Sequence, residues 1–409
     1  SQANDGGGIT DMDNEAQNNL ARVRRVFNEF LKSERPWVEV IAQMHDHAMV
    51  LEGVSIRDIY WNAETFITSV YEAAAYYQID MPSANADNYN FEIEALGAKM
   101  IYSDIAMPTV DHREPFIKGP EDLVKIKTPD FYHDARMPYT LEATKLSTQF
   151  GNKTGWFCGP FSLLVGMMGY VNLIKSMRKQ PEFTRELFEL VIDKVLIPYI
   201  KVQKEYCGIT VAFGADAWAN TPNLSLAQME EWVVPFNQKL IAKGKETGLG
   251  VSIGSGYYYE ERSEKFDNNL LLKSFPHQFA SRDGAISLRL NPGDMLDYPF
   301  QVVREYTAQY REQGITPIIQ LTVDARLLRD APVERVTNQI KQVIDLFARD
   351  HNLGILLGNI PSDTNPDHVH AAIAAVHTFG RKPIADNLDD IEFQLPRRES
   401  FEEWKRSHK

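Results

Sequence analysis

Cysteine is nearly absent from this chain: 409 residues contain two, Cys158 and Cys207. That excludes a disulfide framework and a zinc site built from three or four thiolates. Both read as small buried hydrophobes. Long apolar runs are also missing. The longest, Phe161–Ile174, is interrupted by Asn172 and is too short for the roughly 20 apolar residues that cross a bilayer. Residues 1–19 are rich in Gly, Asn and Asp without an apolar stretch, unlike a signal peptide. Positive charge is in deficit: 43 Lys and Arg against 56 Asp and Glu leave a net −13. Nucleic-acid binding needs the opposite balance, and anionic lipid would repel the chain. Nucleotide signatures are lacking as well. No G-x-G-x-x-G follows a strand, Gly254-Ser-Gly256 has neither third glycine nor acidic partner, and no G-x-x-x-x-G-K-[ST] occurs. The reading is a soluble cytoplasmic protein with no nucleic-acid or membrane partner.

What is present is ordinary globular composition, 44% apolar and 24% charged, with a regular alternation. Short, almost continuously apolar runs fall at Val38–Met44, Lys99–Ser103, Gly155–Gly159, Thr210–Phe213, Gly250–Ile253, Ala285–Leu290, Pro317–Leu321 and Gly354–Leu357. Runs of this kind are how buried parallel strands read. Helical patterns separate them. Asn62 caps one to about Tyr77, and Ser225-Leu-Ala-Gln228 is a capping box for one ending by Gly248. Pro332 opens Val333–Arg349, and Asn365-Pro366 opens a helix through Val376 with Gly380 behind it. Leu20–Ser33 is an amphipathic helix ahead of the first strand. Strands alternating with helices predict an α/β fold, a (β/α)8 TIM barrel with an N-terminal helical extension. A doubly wound sheet is the runner-up, weakened by the missing glycine fingerprint. The expected division is an extension over 1–36, a barrel over 37–395 and a tail over 396–409. Pro108–Tyr139, dense in Pro, Asp and His, is the largest loop insertion.

Active sites of such barrels form at the C-terminal ends of the strands. Those positions read His45-Asp46-His47, Tyr102 and Asp104, Cys158-Gly159-Pro160, Asp216 with Trp218, Ser255 followed by Tyr257-Tyr258-Tyr259-Glu260, Arg289 with Asn291, Gln320 to Asp324, and Asn359. Asp216 and Asp324 have two readings, catalytic acids or helix N-caps. Tyr257 and Tyr258 read either as core-edge aromatics or as a flat wall for a planar ligand. Arg289 ends an apolar strand and requires an anionic partner. His45 and His47, at i and i+2 of a strand, would point the same way. An H-x-H there resembles the metal-dependent amidohydrolases. The later His and Asp positions of that family are occupied here by Ser252/Ser255, Arg289/Asn291 and Asn359, so a structural or substrate-contacting role for the pair stands at least level with metal ligation.

Four stretches in order resemble the uroporphyrinogen decarboxylase superfamily. They are Gly159-Pro-Phe-Ser162, Gly214-Ala-Asp216-Ala with Leu224 to Pro235, Gln320-Leu-Thr-Val-Asp324 with Pro332-Val-Glu-Arg-Val336, and Gly358-Asn-Ile-Pro to Val369. The resemblance implies a (β/α)8 barrel. Decarboxylases of that family carry arginines after strand one that hold substrate carboxylates; here the place reads Ala42-Gln-Met-His-Asp-His-Ala48, without one. The thiol-activating branch binds zinc through H-x-C and a later Cys; here Ser252-Ile-Gly254 stands instead. What remains resembles corrinoid-dependent methyltransferases of the O-demethylase type. The resemblance implies a methyl transfer from a small, methoxyaromatic donor to the cobalt of cobalamin, free or on a corrinoid protein. A decarboxylase or lyase is the alternative. Demethylating an aryl ether leaves a phenolate that must be protonated or coordinated. Asp216, Glu260 and Asp324 are the acid or metal-binding candidates, with Asn359 and Gln320 as hydrogen-bond partners of the substrate. His45, His47, Trp218, Tyr257, Tyr258 and Arg289 complete the expected substrate contacts. Glu260 and His277 form the candidate zinc pair. A homodimer is expected, with the N-terminal helix packing across it.

Overall fold

The computed structural model describes residues 8–85, 87, 89–104, 107–255, 268–293 and 297–409. The chain opens with α1 (Gly8–Lys32), followed by β1 (Glu39–Ala42), α2 (His45–Glu52), α3 (Ile56–Trp61) and α4 (Ala63–Tyr77). Next come β2 (Met81–Pro82), α5 (Phe91–Ala95), β3 (Met100–Ile101), β4 (Thr109–Val110) and α6 (Met137–Gln149). The remaining strands are β5 (Thr154–Cys158), β6 (Val211–Asp216), β7 (Gly250–Ser255), β8 (Ser287–Leu290), β9 (Ile318–Val323) and β10 (Asn352–Leu357), with α7 (Pro160–Met168) after β5.

The ladders form two parallel arcs, β2-β1-β10-β9-β8 and β5-β6-β7. Read in chain order, β1, β2 and β5 to β10 run round an eight-stranded α/β barrel. The pairing of β10 with β1, from Glu39↔Gly354 to Ala42↔Leu357, joins the last strand to the first. A doubly wound sheet makes no such joint, which disposes of the runner-up topology. Between the arcs, Asn152 donates to the Pro82 carbonyl at 3.3 Å, and the Ile253 amide donates to Ser281 at 2.7 Å.

One expected strand is misplaced. Lys99–Ser103 contains β3, which pairs antiparallel with β4, Met100 opposite Val110, outside the barrel. The second barrel strand is instead the two-residue β2, paired with Ile41 and Ala42. Helix signals hold better. Asn62 accepts from Thr65, and Ser225 and Gln228 form the reciprocal capping box. That helix is two pieces, Leu226–Trp232 and Val234–Lys245, with Pro235 in the first turn of the second, the position where proline is tolerated.

Inside the barrel, Trp156, Phe213 and Ser252 share one register row, and Arg289 lies opposite Gln320 in another. The Arg289 guanidinium sits 5.7 Å from the Phe213 ring centre, although β7 separates their strands in chain order, so the contact crosses the interior. Arg282 lies 5.1 Å from the same ring.

α1 buries Val23, Val26 and Phe27 against its own chain. Phe27 meets Tyr71 of α4 edge-on at 4.9 Å, and Arg22 pairs with Glu72 at 2.7 Å. The apolar face expected to cross a dimer interface is therefore covered by α4. Residues 396–409 also fold back. Helix Phe401–Ser407 buries Phe401 and Trp404, Lys405 pairs with Glu52, and Arg22 donates to the His408 carbonyl at 3.0 Å. Among the described residues no helix is long and apolar enough to cross a membrane.

Candidate functional site

Parallel strands put all their C-terminal ends at one mouth, so the site is built from the last residues of each strand and the loops beyond them. Asp216, the last residue of β6, is fully buried. α7 has a glycine at its N-cap and no side-chain cap of its own. Asp216 supplies one: its Oδ1 accepts from the Ser162 amide at 2.8 Å and the Ser162 hydroxyl at 2.6 Å. Burial pushes the carboxyl up to about 6, while the Ser162 hydrogen bonds hold it down. Its Oδ2 has no hydrogen-bond partner among the described residues. A Cβ at Gly159 would lie 2.7 Å from that oxygen and 2.4 Å from Asp216 Cγ. Glycine is the residue that leaves this approach clear.

Four more buried polar atoms at the strand ends share this condition. His45 Nε2 after β1, Asn85 Nδ2 after β2, Asn291 Oδ1 after β8 and Thr322 Oγ1 in β9 lack partners among the described residues. Buried polar groups are nearly always satisfied, so each of these strand-end atoms is one that water or a ligand would satisfy. His45 is held neutral by burial, opposed by the charges of Asp46 and Asp87.

The other sequence-predicted residues fall into several situations. His45 and His47 start α2 rather than ending a strand. Two residues apart on a helix are about 200° apart, so the pair does not converge. His47 turns to the helix layer, where its Nε2 meets the Tyr77 hydroxyl at 2.7 Å and burial pulls it down to about 4. Asp324 is an N-cap, accepting from the Arg326 amide at 2.9 Å and the Leu327 amide at 3.3 Å. Arg289 and Gln320 sit mid-strand below the mouth and bond to each other, Nε to Oε1 at 2.8 Å. Trp218 and Asn359 lie in the loops that follow β6 and β10. Trp218 is half-exposed, stacks on Tyr170 at 5.4 Å and donates its amide to Ser162 Oγ. Asn359 is exposed with φ +29°, a left-handed conformation asparagine tolerates.

Tyr257, Tyr258 and Glu260 lie outside the described residues. The described member of the expected zinc pair, His277, faces Glu230 at 3.8 Å. Among the described residues no three His, Cys, Asp or Glu side chains are placed to hold a metal ion.

An ion cluster beside the mouth has no counterpart among the sequence-predicted residues. Arg136 is fully buried. Its Nε donates to Glu94 at 2.8 Å and its Nη2 to Asp87 at 3.0 Å, and its guanidinium lies between Phe91 at 4.7 Å and Trp61 at 5.4 Å. Glu94 also accepts from the Tyr102 hydroxyl at 2.8 Å. Glu92 of the same α5 accepts from the Cys158 amide at 2.7 Å, tying the helix to the end of β5, and burial raises it to about 7. Above the cluster is a recess of about 160 Å³ lined by Ile56, Arg57, Tyr60, Trp61, Tyr102, Ser103 and Pro108. The only sequence signal is Glu92 and Glu94 flanking Ile93 inside an apolar stretch.

A model of the uroporphyrinogen decarboxylase (URO-D) family matches residues 33–258. The chain belongs to that family. The solved structure of a methyltransferase from Methanosarcina mazei is also similar, with a TM-score of 0.62 and 15% identity over 87% of this chain and 97% of that one. At that identity the likeness shows a shared barrel. No curated protein matches the chain. Within the family frame, the mouth at β1, β2, β5 and β6 falls inside the matched residues, and β8 to β10 fall beyond them.

Proposed function

We propose that this barrel is a methyltransferase that moves a methyl group from a small methylated donor, of the methoxyaromatic class, to the cobalt of a corrinoid. The observation that carries the reading is the barrel shared with the M. mazei methyltransferase across almost all of that protein. The site supports it. Breaking the methyl–oxygen bond leaves the electron pair on the aryl oxygen, which needs a proton. Asp216, raised to about 6 with Oδ2 unpartnered among the described residues, holds a proton part of the time near neutrality. Cys158 is pushed well above its ordinary value by burial, so no thiolate is offered. A corrinoid, carried by a partner protein or free, supplies the methyl-accepting cobalt. Trp218 on Tyr170 offers an aromatic face at the mouth to a planar molecule.

The test is to mix the protein with cob(I)alamin and a panel of methoxyarenes and follow methylcobalamin absorbance. A methyl-transfer signal lost in Asp216→Asn supports the reading. Absence of signal across the panel overturns it. The family match favours a decarboxylase as the second reading, and CO2 release without corrinoid would select it.

A further inference from the structure

We infer that the recess between α3 and the β3–β4 hairpin binds a single-ring aromatic carboxylate, its ring on Trp61 and Tyr102 and its carboxylate on Arg57. The inference rests on the proposed methyl transfer only in naming the donor of that reaction; the binding itself stands apart.

The recess has the right size. About 160 Å³ is close to the volume of an engineered apolar cavity that takes up benzene. Its walls combine Ile56, Tyr60, Trp61, Tyr102 and Pro108 with the polar Ser103 and Arg57. Trp61 and Tyr102 are about half exposed, with ring centres 5.7 Å apart and planes tilted by 42°. They form one bent apolar surface rather than a slot, so a ring lies against them and not between them.

Both walls are fixed from below. Tyr102 donates to Glu94, and Trp61 lies over Arg136, which itself bonds Glu94 and Asp87. Tyr60 donates to Asp46 at 2.8 Å, beside His45. Large exposed aromatics are entropically cheap contacts when held in place before binding. The recess also adjoins the mouth, because α3 follows β1, and the β3–β4 hairpin follows β2.

The charge in the lining is one guanidinium. Arg57 donates to Asp104, with both side chains more than two-thirds exposed. An ion pair that exposed is weakly held, so a ligand carboxylate can replace Asp104 on the same planar fork, which is suited to bidentate contact. The other acids nearby already accept hydrogen bonds: Asp46 from Tyr60, and Glu94 from Tyr102 and Arg136.

The experiment is ligand-observed saturation-transfer NMR with calorimetric titration, using benzoate, 4-methoxybenzoate, methoxybenzene and cyclohexanecarboxylate on the full chain. Benzoate and 4-methoxybenzoate should bind saturably, and cyclohexanecarboxylate more weakly. Arg57→Ala should weaken benzoate by about tenfold, the effect of one lost charged contact, and leave methoxybenzene unchanged. Trp61→Ala, or Tyr102→Ala if the first variant does not fold, should weaken all the aromatic ligands. Equal benzoate binding by wild type and Arg57→Ala, or no benzoate binding at all, overturns the inference. Benzoate has no methyl group to give. Saturable benzoate binding without methyl transfer would therefore remove the proposed reaction and leave this site standing, whereas methyl transfer from a methoxyarene that ignores Arg57→Ala would do the reverse.

Discussion

Asp216 caps a helix that begins on a different strand: its Oδ1 takes both the amide and the hydroxyl of Ser162. Those two bonds, with the Phe161 backbone, hold its carboxyl to about 6 against full burial. Ser162→Ala removes the hydroxyl donor. The Asp216 carboxyl should rise further, and stability should fall by about 1 kcal/mol. Carbon-13 carboxyl titration and urea denaturation measure both, and an unchanged titration would contradict the assignment.

The pH dependence of that carboxyl has a definite sign. Its folded value is raised above the ordinary 3.8, so the folded chain holds the proton more tightly than the unfolded chain. The stabilising contribution is full below about 4 and is lost as pH rises through about 6. Asp216→Asn cannot titrate. The stability of wild type relative to Asp216→Asn should therefore fall between pH 4 and 7, by roughly 3 kcal/mol at most. A flat difference across that range would refute it.

His47 has the opposite sign. Burial pulls it down to about 4 from 6.5, and His370, against the same Tyr77 ring, is pulled to about 4 as well. These imidazoles stabilise the fold above pH 6.5, and the contribution is lost as pH falls towards 4. His47→Gln keeps a partner for Tyr77 and should flatten the acid limb of the stability curve. Chemical denaturation at pH 7, 6 and 5 would show it.

Arg136 neutralises two buried carboxylates. Arg136→Met should cost about 3–5 kcal/mol, because Asp87 and Glu94 are left without their cation. The triple variant Arg136→Met, Asp87→Asn, Glu94→Gln should recover much of that loss. Urea midpoints decide it, and a triple variant no better than the single would show that packing on Trp61 and Phe91 dominates.

The sequence made β1 and β5 to β10 legible because each is a continuous apolar run between helical patterns, the mark of a strand buried on both faces. β2 was invisible. Met81–Pro82 is too short to carry a period, while Lys99–Ser103 has one and uses it in a hairpin outside the barrel. A strand's two-residue period would bring His45 and His47 to one side; the strand stops at Ala42 and a helix begins at His45. Asp324 was open between cap and catalyst on sequence grounds, and its hydrogen bonds are those of a cap. Arg136 was beyond reach, since a lone arginine in a polar insertion looks the same whether it faces solvent or is enclosed by Asp87, Glu94, Phe91 and Trp61.

The ring of Phe213 carries two guanidiniums, Arg282 and Arg289, and Phe213 lies three residues down β6 from Asp216. Burial first, and then the charge of Arg289, lowers Arg282 to about 9, which leaves it cationic at neutral pH. Three strand residues are about 10 Å. Cationic groups thus surround Phe213 deep in the barrel, about that far below the strand end that carries Asp216. In the proposed methyl transfer, an oxygen that keeps the electron pair would lie nearer to these guanidiniums when turned inward than when turned outward.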